Sequence, residues 1–108
     1  MGIAHLLEKR SIIRVDILNL IFPEKIIEKL DRKHNVSKQE VKEIFRGFPK
    51  YRFIEKGHQK NENLYAAYGQ TYSGRYLIVF FIYKQTKEAL IISARNMTDG
   101  ERKKYRKS

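Results

Sequence analysis

The chain has 108 residues, with 23 Lys and Arg against 12 Asp and Glu, three His and no Cys. That length suits one domain, 1–108, built on one hydrophobic core, and a 42% hydrophobic content argues against a disordered chain. The absent cysteines exclude disulfides and every cysteine-based zinc site, while a net charge of +11 favours polyanionic partners: RNA, DNA or a strongly acidic protein.

Taken in order, residues 1–11 carry little pattern and read as a helical turn or a flexible arm. Met1 to Leu7 has no basic leader, and no stretch approaches membrane-spanning length, so a cytoplasmic protein without a membrane partner is expected. Ser11 to Leu18 alternates Ile13, Val15 and Ile17 with Arg14 and Asp16, which predicts a strand. Leu20, Ile21 and Phe22 lead into the core. Pro23 opens a helix, since its missing N–H has no partner at a first helical position. Glu24 suits the positive end of that helix, and Ile26, Ile27 and Leu30 form its apolar stripe. Asn35 is a left-handed terminator. Ser37 and Glu40 have capping-box spacing for a second helix, whose expected buried face is Val41, Ile44 and Phe45, with Phe48 as a further candidate. Gly47 and Pro49 end it. The two helices predict a hairpin on one face of a sheet.

Tyr51 to Glu55 predicts the next strand and residues 57–63 a polar turn. Leu64 to Tyr72 predicts another strand, where Gly69 marks a bulge or a close backbone approach. Ser73-Gly74 turns the chain into Leu77–Tyr83, seven consecutive apolar or aromatic residues. A half-buried strand alternates, whereas this run is apolar on both faces and predicts the central strand. A turn at 85–88 precedes the strand Ala89–Arg95. Strict alternation there puts Leu90, Ile92 and Ala94 on one face and Ile91, Ser93 and Arg95 on the other. Thr98 and Glu101 cap a last helix, Asp99 to about Arg106, rich in Lys and Arg. The expected class is α+β: a small antiparallel sheet, a two-helix hairpin on one face, and a short basic C-terminal helix.

His5, His34 and His58 lack metal-ligand spacing. There is no glycine-rich phosphate loop and no carboxylate cluster for two metals. No metal and no cofactor are expected.

Five segments together resemble the BrnT family of toxins, within the broader RelE-like ribonuclease fold. They are Lys33-His-Asn-Val-Ser37 with the helix after it, Tyr68-Gly69, Gly74-Arg75, Ile91-Ile-Ser-Ala-Arg95, and Glu101-Arg102 with Tyr105. The resemblance implies a metal-independent ribonuclease acting on RNA, including ribosome-bound messages. It also implies an antitoxin encoded alongside, and a homodimer or a toxin–antitoxin heterotetramer.

Such cleavage needs help for the attacking 2′-OH, cations for the transition state, and a proton for the leaving 5′-oxygen. Arginine suits the second role, because its fork binds phosphate oxygens in pairs. Arg95, ending a strand, is the first candidate, with an ion pair to a helix acid as the lesser alternative. Arg75 is the second, expected near the same sheet end, with simple solvation as its alternative. Tyr105 is an acid, a base, a stacking platform, or a residue that docks the last helix. His34 is a candidate base, although Lys33 and His34 also fit the negative end of the first helix. Lys33, Arg102, Lys103, Lys104 and Lys107 are the expected RNA-binding cations. Two rival functions remain: a non-catalytic RNA- or DNA-binding module, and a purely protein-binding component.

Overall fold

Leu77–Tyr83 does form the middle of the sheet. The computed structural model describes residues 15–107, in the order β1 (Asn19–Ile21), α1 (Glu24–His34), α2 (Lys38–Arg46), β2 (Lys50–Glu55), β3 (Asn63–Gln70), β4 (Tyr76–Tyr83), β5 (Glu88–Asn96) and α3 (Asp99–Lys107). The sheet order is β1-β5-β4-β3-β2. Strands β2 to β5 form the expected antiparallel meander, and β1 joins β5 in parallel, so the sheet is mixed. The class is α+β.

Of the two expectations for the N-terminal region, one is outside what the structure describes and one changes. The arm at 1–11 lies outside the described residues. The strand expected at Ser11–Leu18 is not formed at 15–18; pairing begins later, at Asn19. Residues 15–18 instead run along the sheet edge, held by the Tyr83 hydroxyl, which donates to the Asp16 carbonyl (2.8 Å), and by the Leu18 amide, which donates to the Lys87 carbonyl (2.8 Å).

One face of the sheet is the core face. Leu77, Val79 and Phe81 of β4 meet Ala67 of β3 and Ala89, Ile91 and Ala94 of β5, all fully buried. Strict alternation along β5 fails because of a bulge: Phe80 pairs with Ser93 and Phe81 with Ile91, leaving Ile92 as the extra residue. The bulge turns Ile91 to the core face, alongside Ala94, and sends Ser93 and Arg95 to the opposite, open face.

The helical hairpin covers the core face with Leu30, Val36, Val41 and Ile44, α1 lying over β5 and α2 over β3 and β4. Its turn is built as the sequence requires. Asn35 takes φ 52°, and its amide caps α1. Ser37 and Glu40 close a capping box at the start of α2. Gly69 is the close approach rather than a bulge: a Cβ there would lie 3.0 Å from a methyl of Ile44. Gly74 supplies the φ of 98° that turns β3 into β4.

A candidate active site on the open face

The open face carries the even-numbered residues of β4, Tyr76, Ile78 and Phe80, and their neighbours across the ladder. Tyr68 sits opposite Ile78 on one side and Lys50 on the other; Arg95 sits opposite Ile78 from β5. Helix α3 returns over this face. It has no buried residue of its own, so side-chain contacts must dock it. The Tyr105 ring meets the Tyr76 ring edge-on at 6.0 Å, the Arg102 guanidinium lies 5.7 Å from the Tyr76 ring centre, and Lys50 Nζ donates to the Tyr105 carbonyl (2.8 Å). Between helix and sheet lies a groove of about 410 Å³, lined by Lys50, Arg52, Tyr68, Glu101, Lys104 and Tyr105.

Arg95 sits beside this groove and is engaged. Nη1 and Nη2 donate to the two oxygens of Glu101 at 2.7 and 3.0 Å, a bidentate fork, and the guanidinium lies 5.6 Å from the Phe80 ring centre. The ion-pair alternative for Arg95 is therefore realised, with an acid of the last helix. The Arg95 hydrogen bonds hold the Glu101 carboxyl down at about 2 against the upward push of burial, with the Thr98 amide adding to them. The same bonds push Arg95 up, burial opposing and the Tyr68 hydroxyl adding a smaller electrostatic contribution. The fork grips two oxygens on one central atom, and a phosphate offers the same geometry to it.

Arg75 turns the other way. Its guanidinium donates to the Asn35 and His34 carbonyls (2.6 and 3.0 Å), to both Glu40 oxygens (3.1 Å each) and to Asn96 Oδ1 (2.8 Å). It stitches the turn of the helical hairpin to the end of the sheet. Burial pushes the Glu40 carboxyl up, but the Ser37 amide and the Arg75 fork together hold it lower than usual. The two arginines share a sheet end, as expected, yet point to opposite faces. His34 ends α1, where its carbonyl serves Arg75, and Lys33 is exposed beside it. Neither lines the groove.

Of the expected residues, Arg95, Tyr105 and Lys104 therefore come together, and Arg102 stands nearby on Tyr76. Lys103 and Lys107 are exposed on α3. The sequence marks Tyr68 only as part of a family motif and Glu101 as a helix cap, and it gives neither them nor Lys50 and Arg52 a place in the site. The signal for Lys50 and Arg52 is their period-two spacing, which puts both cations on one face of β2. Among the described residues, no three His, Asp or Glu come together as a metal-binding group, and no helix is long and apolar enough to cross a membrane.

The model of the BrnT family, ribonuclease toxins of type II toxin-antitoxin systems, matches residues 24–101, from the start of α1 to Glu101. The chain belongs to this family. A similar solved structure is the 1.1 Å crystal structure of the Brucella abortus ribonuclease toxin BrnT, with a TM-score of 0.53 and 13% identity; the match covers 75% of this chain and 97% of that one. At that identity the likeness is one of fold. No curated protein sequence matches the chain. The family match spans the hairpin, strands β2 to β5 and the Arg95–Glu101 pair, leaves out β1, and ends within the first turn of α3, before Tyr105.

Proposed function

We propose that this BrnT-family chain is a metal-independent endoribonuclease whose site is the open-face groove, neutralised by an antitoxin from the neighbouring reading frame. The observation that carries this reading is the Arg95–Glu101 fork beside Tyr68 and Tyr105, on a surface bordered by Lys50, Arg52 and Lys104.

The chemistry follows from competition for Arg95. An RNA phosphate entering the groove exchanges with the Glu101 carboxylate on the fork. Freed from Arg95, Glu101 loses the largest of the contacts that hold its pKa down, keeps those to Thr98, and becomes a stronger base. It takes the proton of the 2′-OH as that oxygen attacks the adjacent phosphorus. Arg95 stays on the non-bridging oxygens, where negative charge builds in the transition state. The P–O5′ bond breaks as the Tyr105 hydroxyl gives its proton to the leaving 5′-oxygen. The products are a 2′,3′-cyclic phosphate and a 5′-OH. Lys50 positions Tyr105 through its carbonyl and its ring face, with Nζ 4.8 Å from the ring centre. Tyr68 offers a stacking surface for a base next to Arg95. Arg75, Lys33 and His34 act in this reading by holding the hairpin, and Arg102, Lys103 and Lys107 by attracting the RNA backbone.

Purified protein incubated with RNA in EDTA tests the reading. Cleavage leaving 2′,3′-cyclic phosphate ends is the expected result. Cleavage that requires added divalent metal removes the mechanism, and binding without cleavage of either naked RNA or ribosome-bound message replaces it with the RNA-binding module.

A further inference from the structure

A second, larger groove lies on the helix-bearing side, away from the RNA site. It measures about 1000 Å³ and runs between the 15–20 segment and α2 with the loop after it. Its apolar lining includes Val15, Ile17, Leu20 and Phe45. The floor is rigid: Phe45 packs edge-on against Phe81 at 5.4 Å, and Tyr51 does the same at 6.0 Å. The rim is basic, with Lys38, Lys42, Arg46 and Lys87 against the single acid Asp16. Lys42, Arg46 and Lys87 form no salt bridge among the described residues.

Phe48 stands at the edge of this groove and is anomalous twice. It is 92% exposed, and its φ is 57°, a left-handed backbone that side chains other than Asn and Asp rarely adopt. A glycine would relieve both costs. The free chain gains no packing from an aromatic ring there. Leu18, across the groove, is 76% exposed.

We propose that this groove is a protein-docking surface that receives an amphipathic segment of an acidic partner, with Phe48 and Leu18 closing over its apolar side chains and the rim cations meeting its carboxylates. The proposal rests on the antitoxin reading above and names the surface that partner uses. Charge selects the occupant. A second copy of the chain also carries +11, so two copies repel at a basic rim. Val15, Ile17, Leu18 and Leu20 line one wall with aliphatic surface, which the apolar side chains of a protein segment bury and a phosphate backbone does not. Because the RNA groove lies on the other face of the sheet, the docked segment is an anchor that leaves Arg95 and Tyr105 exposed.

The test uses the full chain and the product of the reading frame adjacent to its own as the probe. Phe48→Gly keeps the left-handed backbone without strain, so its thermal midpoint should not fall. Its complex should nevertheless weaken by about 30-fold or more, the scale of losing one aromatic anchor. Lys42→Glu with Arg46→Glu should slow association at low salt and lose that effect at high salt. Arg95→Lys should bind the probe as the wild type does. A complex that tolerates both groove variants and is broken by open-face substitutions overturns the surface while leaving the antitoxin reading intact. No complex at all overturns both. A free chain that dimerises through Phe48, or RNA protected from footprinting by the basic rim, replaces the partner and overturns the proposal.

Discussion

Arg95 and Glu101 form the most consequential pair in the molecule, because each favours the charged form of the other. Glu101 ionises at about 2 in the folded chain, below the ordinary carboxylate range of the unfolded one. The unfolded chain therefore binds more protons in acid, and acid favours unfolding. The contribution of the pair is complete above about pH 5 and fades as the pH drops toward about 2. Both side chains are partly solvated, 35% and 26% exposed, so screening limits its size to about 1 kcal/mol. Glu101→Gln should thus lower the unfolding midpoint at neutral pH, and the gap to the wild type should close near pH 2. A constant gap across that range would mean that the carboxylate charge does not hold α3 in place. In the sequence, Arg95 stands out by its place at a strand end, and its helix-acid alternative is also legible. What the sequence conceals is that both apply: Glu101 reads as a capping residue, and it does cap, accepting from the Thr98 amide at 2.9 Å. Its second use depends on the β5 bulge, which redirects Arg95 toward α3, and no local pattern announces that bulge.

At the level of elements, the helical hairpin was the most legible part. Its stops and starts are chemical: Asn35 and the Ser37–Glu40 box stand where the backbone needs them, while Pro23 is the extended residue just before α1 rather than its first helical position. The central strand was equally plain, since only a sheet interior accepts Leu77–Tyr83. The short edge strand was not. β1 spans three residues, and its pairing with β5 is parallel and separated by most of the chain. The alternation at 11–18 is real but does not decide pairing. The hairpin itself is tied down by Arg75, whose five hydrogen bonds reach His34, Asn35, Glu40 and Asn96. Arg75→Ala should cost about 2–3 kcal/mol, since it strands two carbonyls and a carboxylate. Single-turnover cleavage, corrected for the folded fraction, should stay within about threefold of the wild type, the range left when no transition-state contact is lost. Urea unfolding on the same preparation measures the first quantity. Unchanged stability with abolished cleavage would put Arg75 in the reaction instead.

For the whole molecule, the charge of +11 is legible from composition but its placement is not. Part of it lines two separate surfaces: the α3 side with Lys50, Arg52 and Lys104, and the groove beside α2 with Lys38, Lys42 and Arg46. RNA affinity should fall steeply with salt, each phosphate contact contributing about 0.7 to the slope for a single strand. Neutralising Arg102, Lys103, Lys104 and Lys107 together should flatten that slope, whereas neutralising Lys38, Lys42 and Arg46 should not. The reverse pattern in a filter-binding titration would exchange the two surfaces. In the proposed mechanism, Arg95 trades Glu101 for the phosphate and carries its charge through the transition state. Arg95→Lys retains the charge and removes the fork. Single-turnover RNA cleavage by this variant in EDTA, scaled to its folded fraction from thermal unfolding, is the most direct measurement. A fall of roughly 100-fold or more, the scale of losing one electrostatic donor, is the predicted result. A wild-type rate from folded Arg95→Lys would contradict it.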